Sequence, residues 1–189
     1  MKRPPRVVAL TGFMGAGKTT VARALAQRLS RDLLDLDLAI ENETGRTPRS
    51  IIDEDGEPRF RELETQVLRL ALQRLAHTRA HTADAGLPTS INLVIALGGG
   101  TWTLERNRAL LDDYDAFTVW LDAPFDLCWR RILQQADPHA RPLARDRQQA
   151  LQLYEARRPL YSLAHLHLFI EETDDAPTLA DRIATALSS

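Results

Sequence analysis

Residues 10–20 read LTGFMGAGKTT. The run 7–10 before them, VVAL, has the composition of a buried strand, and 21–29 after them has that of a helix. Gly12, Gly17, Lys18 and Thr19 satisfy G-x-x-x-x-G-K-[ST]. The chemistry explains this spacing. Glycines let consecutive backbone N–H groups turn inward around a phosphate, and the start of the following helix adds its positive dipole end. Gly15, Ala16, Gly17, Lys18, Thr19 and Thr20 are the expected phosphate contacts, with Lys18 reaching the β- and γ-phosphates and the Thr19 hydroxyl placed to ligate Mg²⁺. A nucleoside triphosphate with magnesium is the implied ligand, which still leaves kinases, GTPases, motors and transporter ATPases.

Outward from this loop, the apolar runs 93–97 and 117–121 read as further buried strands, and 33–36 and 166–170 as weaker ones. Between them, 59–75 places Phe60, Leu63, Val67, Leu70, Ala71 and Leu75 at spacings of three and four, one apolar stripe of a helix. The stretches 104–111, 124–133 and 176–187 also read as helices, with Pro124 at a helix start. Strand and helix alternate, so the expected architecture is α/β: a parallel sheet with helices on both faces. Residues 77–92 (HTRAHTADAGLPTSIN) lack any period and read as a long surface loop, and 137–147 (DPHARPLARDR) as a second irregular stretch. No repeat or low-complexity segment interrupts the chain.

A chain of 189 residues suits a single domain, 1–189, with one substantial core. The net charge of −2 gives no footprint for nucleic acid or an anionic membrane. Cys128 is the sole cysteine, so no internal disulfide forms, in keeping with a reducing cytosol. The basic start MKRPPR is followed by a stretch too short and too Gly-rich for a signal-peptide core, and no apolar run approaches the roughly 20 residues of a membrane span. A soluble, cytoplasmic protein is expected.

In LLDLDLAIE (33–41), Asp35 and Asp37 stand two apart at the end of an expected strand, on one side of it. Carboxyl ends of parallel strands face the ligand crevice. One acid is placed to hold magnesium, directly or through water, and the other to accept a hydrogen bond from a hydroxyl about to be phosphorylated. Solvated loop acids or a helix N-cap are the structural alternatives. Arg61 begins the long helix beside Phe60, with Glu64 three residues on to orient it. Arg157 stands in EARRPLY, where Pro159 is expected to break the helix. Arginine suits bidentate capture of a carboxylate or phosphate; two surface charges are the plainer alternative. Arg141, in HARPLAR, is placed to close over the triphosphate as a lid arginine, with Arg145 and Arg147 nearby and less distinctive. Gly98, Gly99 and Gly100 in LGGGTW, directly after a strand, imply close approach of a ligand or another segment, or a plain turn.

In this order, GFMGAGKTT, LLDLDLAIE, DGEPRFRELE, LGGG, ARPLAR and RRPLY resemble the shikimate kinase family over about residues 7–187. The resemblance implies a three-layer P-loop kinase fold with a five-stranded parallel sheet, helices on both faces and a mobile lid at about 136–147. It implies ATP-dependent phosphorylation of the 3-hydroxyl of shikimate in chorismate and aromatic amino-acid biosynthesis, with Mg²⁺ and as a monomer. By resemblance, Asp37 binds substrate hydroxyls and acts as the base, while Arg61 and Arg157 clamp the substrate carboxylate beside Phe60. Gly98, Gly99 and Gly100 contact the substrate. Lys18 and Arg141 meet the phosphates, Thr19 and Asp35 support magnesium, and Arg131 and Pro177 pack against the nucleotide base.

The chain departs from the family pattern at two places. The triple glycine is usually followed by a small residue and valine; here Thr101 and Trp102 follow it, and Trp102 reads as a core anchor or as a changed substrate wall. Before the last helix, where a basic residue often helps hold the base, the chain has Asp174 and Asp175. Trp120, Trp129 and Cys128 read as packing residues, and His77 and His81 as solvated. Two other readings stand beside the leading one: a kinase of another small hydroxy acid or polyol such as gluconate, and a non-catalytic nucleotide-binding protein. A GTPase switch is disfavoured, because the chain has no guanine-reading N-K-x-D.

Overall fold

The computed structural model describes residues 5–84, 92–134 and 146–188. Five strands, β1 (Val7–Thr11), β2 (Asp32–Asp35), β3 (Leu93–Ala96), β4 (Phe117–Asp122) and β5 (Leu166–Phe169), form one sheet in the order β2-β3-β1-β4-β5. Every pairing is parallel, with Val8 opposite Val94 on one side and Phe117 on the other. β1 and β3 are buried along their whole lengths, so helices must cover both faces, as continuous apolar runs predict. Central β1 delivers the 10–20 loop to the carboxyl edge of the sheet, with the ends of β3 and β4 on either side.

The helices are α1 (Lys18–Leu29), α2 (Leu36–Thr44), α3 (Pro48–Asp55), α4 (Glu57–Asp84), α5 (Glu105–Asp112), α6 (Phe125–Leu133), α7 (Arg147–Tyr161) and α8 (Ala176–Ala186). α1 packs against α8, while α4 packs against α2, α3 and α5. A single 3-10 turn, Thr101–Thr103, joins the glycine segment to α5 and touches α4 and α7. The core is continuous across the sheet, from Leu25 and Ile183 through Leu10, Ile95 and Val119 to Leu68 and Tyr161.

Three local expectations are corrected. The chain turns helical at Leu36, one residue after β2, because Asp35 caps α2 by accepting from the N–H groups of Asp37 and Leu38. Asp37 therefore lies in the first turn of a helix and not on the strand. α4 runs on to Asp84, so 77–84 is helix rather than loop; Arg79, Ala80 and Ala83 are good helix formers even where the apolar stripe has lapsed. Residues 85–91 lie outside the described residues, as does most of the expected lid, 135–145, with Arg141 in it. Finally, Pro159 sits inside α7, which ends at Tyr161. The i−4 residue Glu155 and Pro159 are both exposed, so water can serve the carbonyl that proline leaves unpaired, and Ser162 N–H still bonds Arg158 O at 3.0 Å.

Candidate active site

The phosphate loop is built against α6. Gly15 has φ +79°, and a Cβ there would lie 2.5 Å from the Cys128 carbonyl oxygen, so the turn admits only glycine. Lys18 Nζ donates to the carbonyls of Gly12 and Phe13, both at 3.0 Å, which holds the ammonium at the mouth of the loop. Arg131 lies over the other side, its Nη1 3.5 Å from Gly15 O. Together they border a cleft of about 300 Å³. The expected residues Gly15, Ala16, Gly17, Lys18, Thr19, Thr20, Asp35, Asp37, Gly99 and Arg131 all line it.

Asp35 unites two of the alternatives left open by the sequence. One oxygen caps α2, and the other accepts from the Thr19 hydroxyl at 2.6 Å. A hydroxyl and a carboxylate in contact at the start of α1 suit Mg²⁺, which takes one or two protein oxygens and completes its shell with water and phosphate. Among the described residues no group of three or more His, Cys, Asp or Glu forms a metal cage. Asp37 faces the same cleft from the next turn.

Behind the far wall, Arg61 is nearly buried and doubly held. Its Nε and Nη2 donate to Glu57 Oε1 at 3.1 and 2.8 Å, and its Nη1 bonds Glu64 Oε2. Three of the five guanidinium N–H donors are spent this way, leaving one on each terminal nitrogen, the pair a carboxylate can bridge. Burial works against the Arg61 charge, but Glu64 and Glu57 outweigh it and hold the guanidinium above its ordinary pKa. Glu64, fully buried, is pushed up by burial despite Arg61 and Thr101. The Arg61 cation lies 5.2 Å from the Phe60 ring centroid. Glycine leaves room for this arrangement: a Cβ on Gly100 would come within 2.5 Å of Arg61 Cζ and displace the guanidinium, and one on Gly98 would strike Glu64 and approach Asp37 Oδ1 to 3.1 Å.

Arg157 reaches the same segment from α7. Its Nη1 donates to Gly99 O at 3.1 Å, and the Tyr161 hydroxyl donates to that oxygen at 2.5 Å. Burial pushes the Tyr161 phenol up to about 12. Trp102 is buried and is not among the residues that line the cleft, and its Nε1 donates to Leu160 O at 2.9 Å. It is the core anchor, tying the glycine segment to α7. One residue on, Arg158 grips the buried carboxylate of Asp122 with both terminal nitrogens, at 2.8 and 3.0 Å, which fixes α7 on β4. Trp120 and Cys128 are buried in the core as expected, and Trp129 packs against it.

Glu57 and Tyr161 carried no role in the sequence expectations, and Thr101 stood there only as a departure after the triple glycine. Glu57 and Tyr161 stand four residues from Arg61 and Arg157, the helical spacing that could have found them; nothing local to Thr101 pointed to its bond with Glu64. At the nucleotide end, the cleft is lined by Asp174, Ala176 and Leu179, while Pro177 is exposed and is not among its lining residues.

A glycine-rich loop with the phosphate-loop spacing heading an all-parallel five-stranded sheet, with a hydroxyl–carboxylate pair on one side and two largely buried arginines about the glycine segment, has the architecture of the P-loop kinase class. The family model for shikimate kinase matches residues 14–188, and the chain belongs to that family. The shikimate kinase of Ruegeria pomeroyi is 35% identical over 192 residues, covering 97% of this chain and 86% of the relative. That of Cereibacter sphaeroides is 38% identical over 169 residues, covering 88% and 75%. The solved shikimate kinase from Acinetobacter baumannii in complex with shikimate has 33% identity and a TM-score of 0.81, covering 98% of this chain and 93% of its own.

Proposed function

We propose that this chain transfers the γ-phosphoryl group of ATP to the 3-hydroxyl of shikimate, giving shikimate 3-phosphate and ADP. The observation that carries the reading is the pairing of a phosphate loop with Asp37, Arg61 and Arg157 around one glycine segment, in a member of the shikimate kinase family. Arg61 offers a bridging pair of donors to the carboxylate, and Arg157 adds a second positive charge across Gly99. Phe60, stacked by Arg61, is assigned to the wall of the substrate site, and Gly98, Gly99 and Gly100 let the substrate approach the backbone. Asp37 accepts the proton of the 3-hydroxyl as its oxygen forms the new bond to the γ-phosphorus and the bond from that phosphorus to the β,γ-bridging oxygen breaks. Positioning and charge neutralisation supply most of such catalysis.

The phosphate-loop N–H groups from Gly15 to Thr20 hold the β-phosphate, and Lys18 moves from the Gly12 and Phe13 carbonyls to the transferred group. Thr19 and Asp35 would hold Mg²⁺, which when bound neutralises charge on the β- and γ-phosphates. Arg131 packs on the nucleotide base, with Pro177 assigned to its other face. Arg141 is assigned to the lid over the triphosphate, as part of one 1–189 domain acting as a monomer in the cytoplasm. No helix among the described residues is long and apolar enough to cross a membrane. The product would feed chorismate and aromatic amino-acid biosynthesis. The test is ADP release with ATP and Mg²⁺, comparing shikimate, gluconate and no acceptor. Turnover with shikimate alone is expected; turnover with gluconate, or none with either, overturns the proposal.

A further inference from the structure

The departure from the family pattern at Thr101 lies inside the clamp. Thr101 is completely buried, and its hydroxyl donates to Glu64 Oε1 at 2.5 Å. The other oxygen of Glu64 holds Arg61. Arg61, Glu64 and Thr101 thus form a chain of charge-assisted hydrogen bonds across 40 residues of sequence, from α4 to the turn after the triple glycine.

The hydroxyl is held rigidly. Thr101 N–H bonds Gly98 O at 3.1 Å, and Thr101 O accepts from the buried Asn107 amide at 2.9 Å. Gly98 lies against the Glu64–Thr101 bond, and the space its missing Cβ leaves is bordered by Asp37 Oδ1 as well. Glu64 Oε1 therefore lies toward a second carboxylate, and Asp37 raises the Glu64 pKa further. A proton donor on that oxygen keeps Glu64 anionic and turned toward Arg61. Without the donor, a buried carboxylate oxygen is left unpaired, an expensive state that rotation or protonation of Glu64 relieves. Rotation moves Oε2 away from Nη1 of Arg61, and protonation removes the charge from that bond, so either change weakens the Glu64 anchor and leaves Glu57 as the stronger one.

We propose that Thr101 is a positioning residue for the substrate carboxylate: by fixing Glu64, its hydroxyl sets the orientation in which Arg61 meets the substrate. The inference rests on the reading of Arg61 as the carboxylate clamp.

The test compares Thr101→Val, which keeps the shape and loses the hydroxyl, with Thr101→Ser, which keeps the hydroxyl and loses the methyl. Steady-state kinetics are measured with shikimate and with its methyl ester, alongside Arg61→Ala. T101V should raise KM for shikimate about tenfold, the scale of one charge-assisted hydrogen bond, with kcat and KM for ATP within about twofold of wild type. T101S should restore wild-type KM. With the methyl ester, which lacks the negative charge, T101V and wild type should be alike. An unchanged shikimate KM in T101V beside a raised one in R61A overturns the role of Thr101 alone. An unchanged KM in R61A overturns the clamp as well. Should T101V not fold, a T101S enzyme with tenfold raised KM shows that the methyl, not the hydroxyl, matters, and overturns the proposal; wild-type KM supports it.

Discussion

Replacing Gly100 by alanine adds one methyl group at the most sensitive point of the clamp. Gly100 has φ −110° and ψ −11°, a conformation alanine adopts freely, so the backbone is not strained. The methyl carbon would stand 2.5 Å from Arg61 Cζ and Nη2 and 2.6 Å from Nη1. Carbon atoms in contact sit at about 3.5–4.0 Å, so the guanidinium must withdraw by about 1 Å. It cannot do so while keeping the 2.8 Å bond to Glu57 and the bond to Glu64 in place. Loss of the aligned pair of donors should cost substrate binding roughly 2–3 kcal/mol, or about 30- to 150-fold in KM for shikimate. The phosphate loop is untouched, so KM for ATP should hold. Stability should fall by no more than about 1–2 kcal/mol, since the displaced atoms are the far end of a flexible side chain. Steady-state kinetics with each substrate varied, and urea unfolding, measure all three. A G100A enzyme with wild-type KM for shikimate would refute the placement of the clamp behind Gly100.

The remaining expectations concern the cleft and its support. Asp37→Asn should abolish turnover while leaving nucleotide binding, measured by calorimetry, within about twofold; turnover at the wild-type rate removes Asp37 from proton transfer. Thr19→Val removes both the proposed Mg²⁺ ligand and the donor to Asp35, so the Mg²⁺ concentration for half-maximal rate should rise at least about tenfold, read by magnesium titration at saturating ATP. The Tyr161 phenol ionises near 10 in an unfolded chain and about 12 in the native one. Its contribution to stability is complete below pH 10 and is lost as pH rises through about 12. Between those limits wild type should lose roughly 3 kcal/mol more than Tyr161→Phe, as urea midpoints across the range would report, and parallel curves would contradict the burial argument.

How far the sequence could be read depended on the distance over which each feature is determined. The phosphate loop was legible because its glycines, lysine and threonine act within eight residues. β1, β3 and β4 were legible because strands buried on both faces are largely apolar along their length. α2 was not, since LDLA alternates as a strand does, and the helix begins where Asp35 can cap it while bonding Thr19, sixteen residues away. α3 carries only Ile51 and Ile52 as an apolar signal, too few for a period. The end of α7 was misplaced because the rule that proline breaks helices assumes an interior position; two residues from the helix end, with Pro159 and Glu155 both exposed, the cost is small. Arg61, Arg157 and the glycines were identifiable, yet the Glu64–Thr101 bond spans 37 residues and the Trp102–Leu160 bond spans 58, and no local pattern encodes either. At the nucleotide end, Ala176 and Leu179 line the cleft because the start of α8 faces it, an orientation invisible before the fold was known.

The central claim is that one oxygen of one acceptor receives the phosphoryl group. The most direct measurement is a ¹H–³¹P correlation spectrum of the product made from shikimate, ATP and Mg²⁺ by the wild-type protein. Transfer to the 3-hydroxyl gives a single phosphorus signal, besides the nucleotide, coupled to the proton on carbon 3. Coupling to the proton on carbon 4 or 5, or free phosphate as the only new signal, would contradict it.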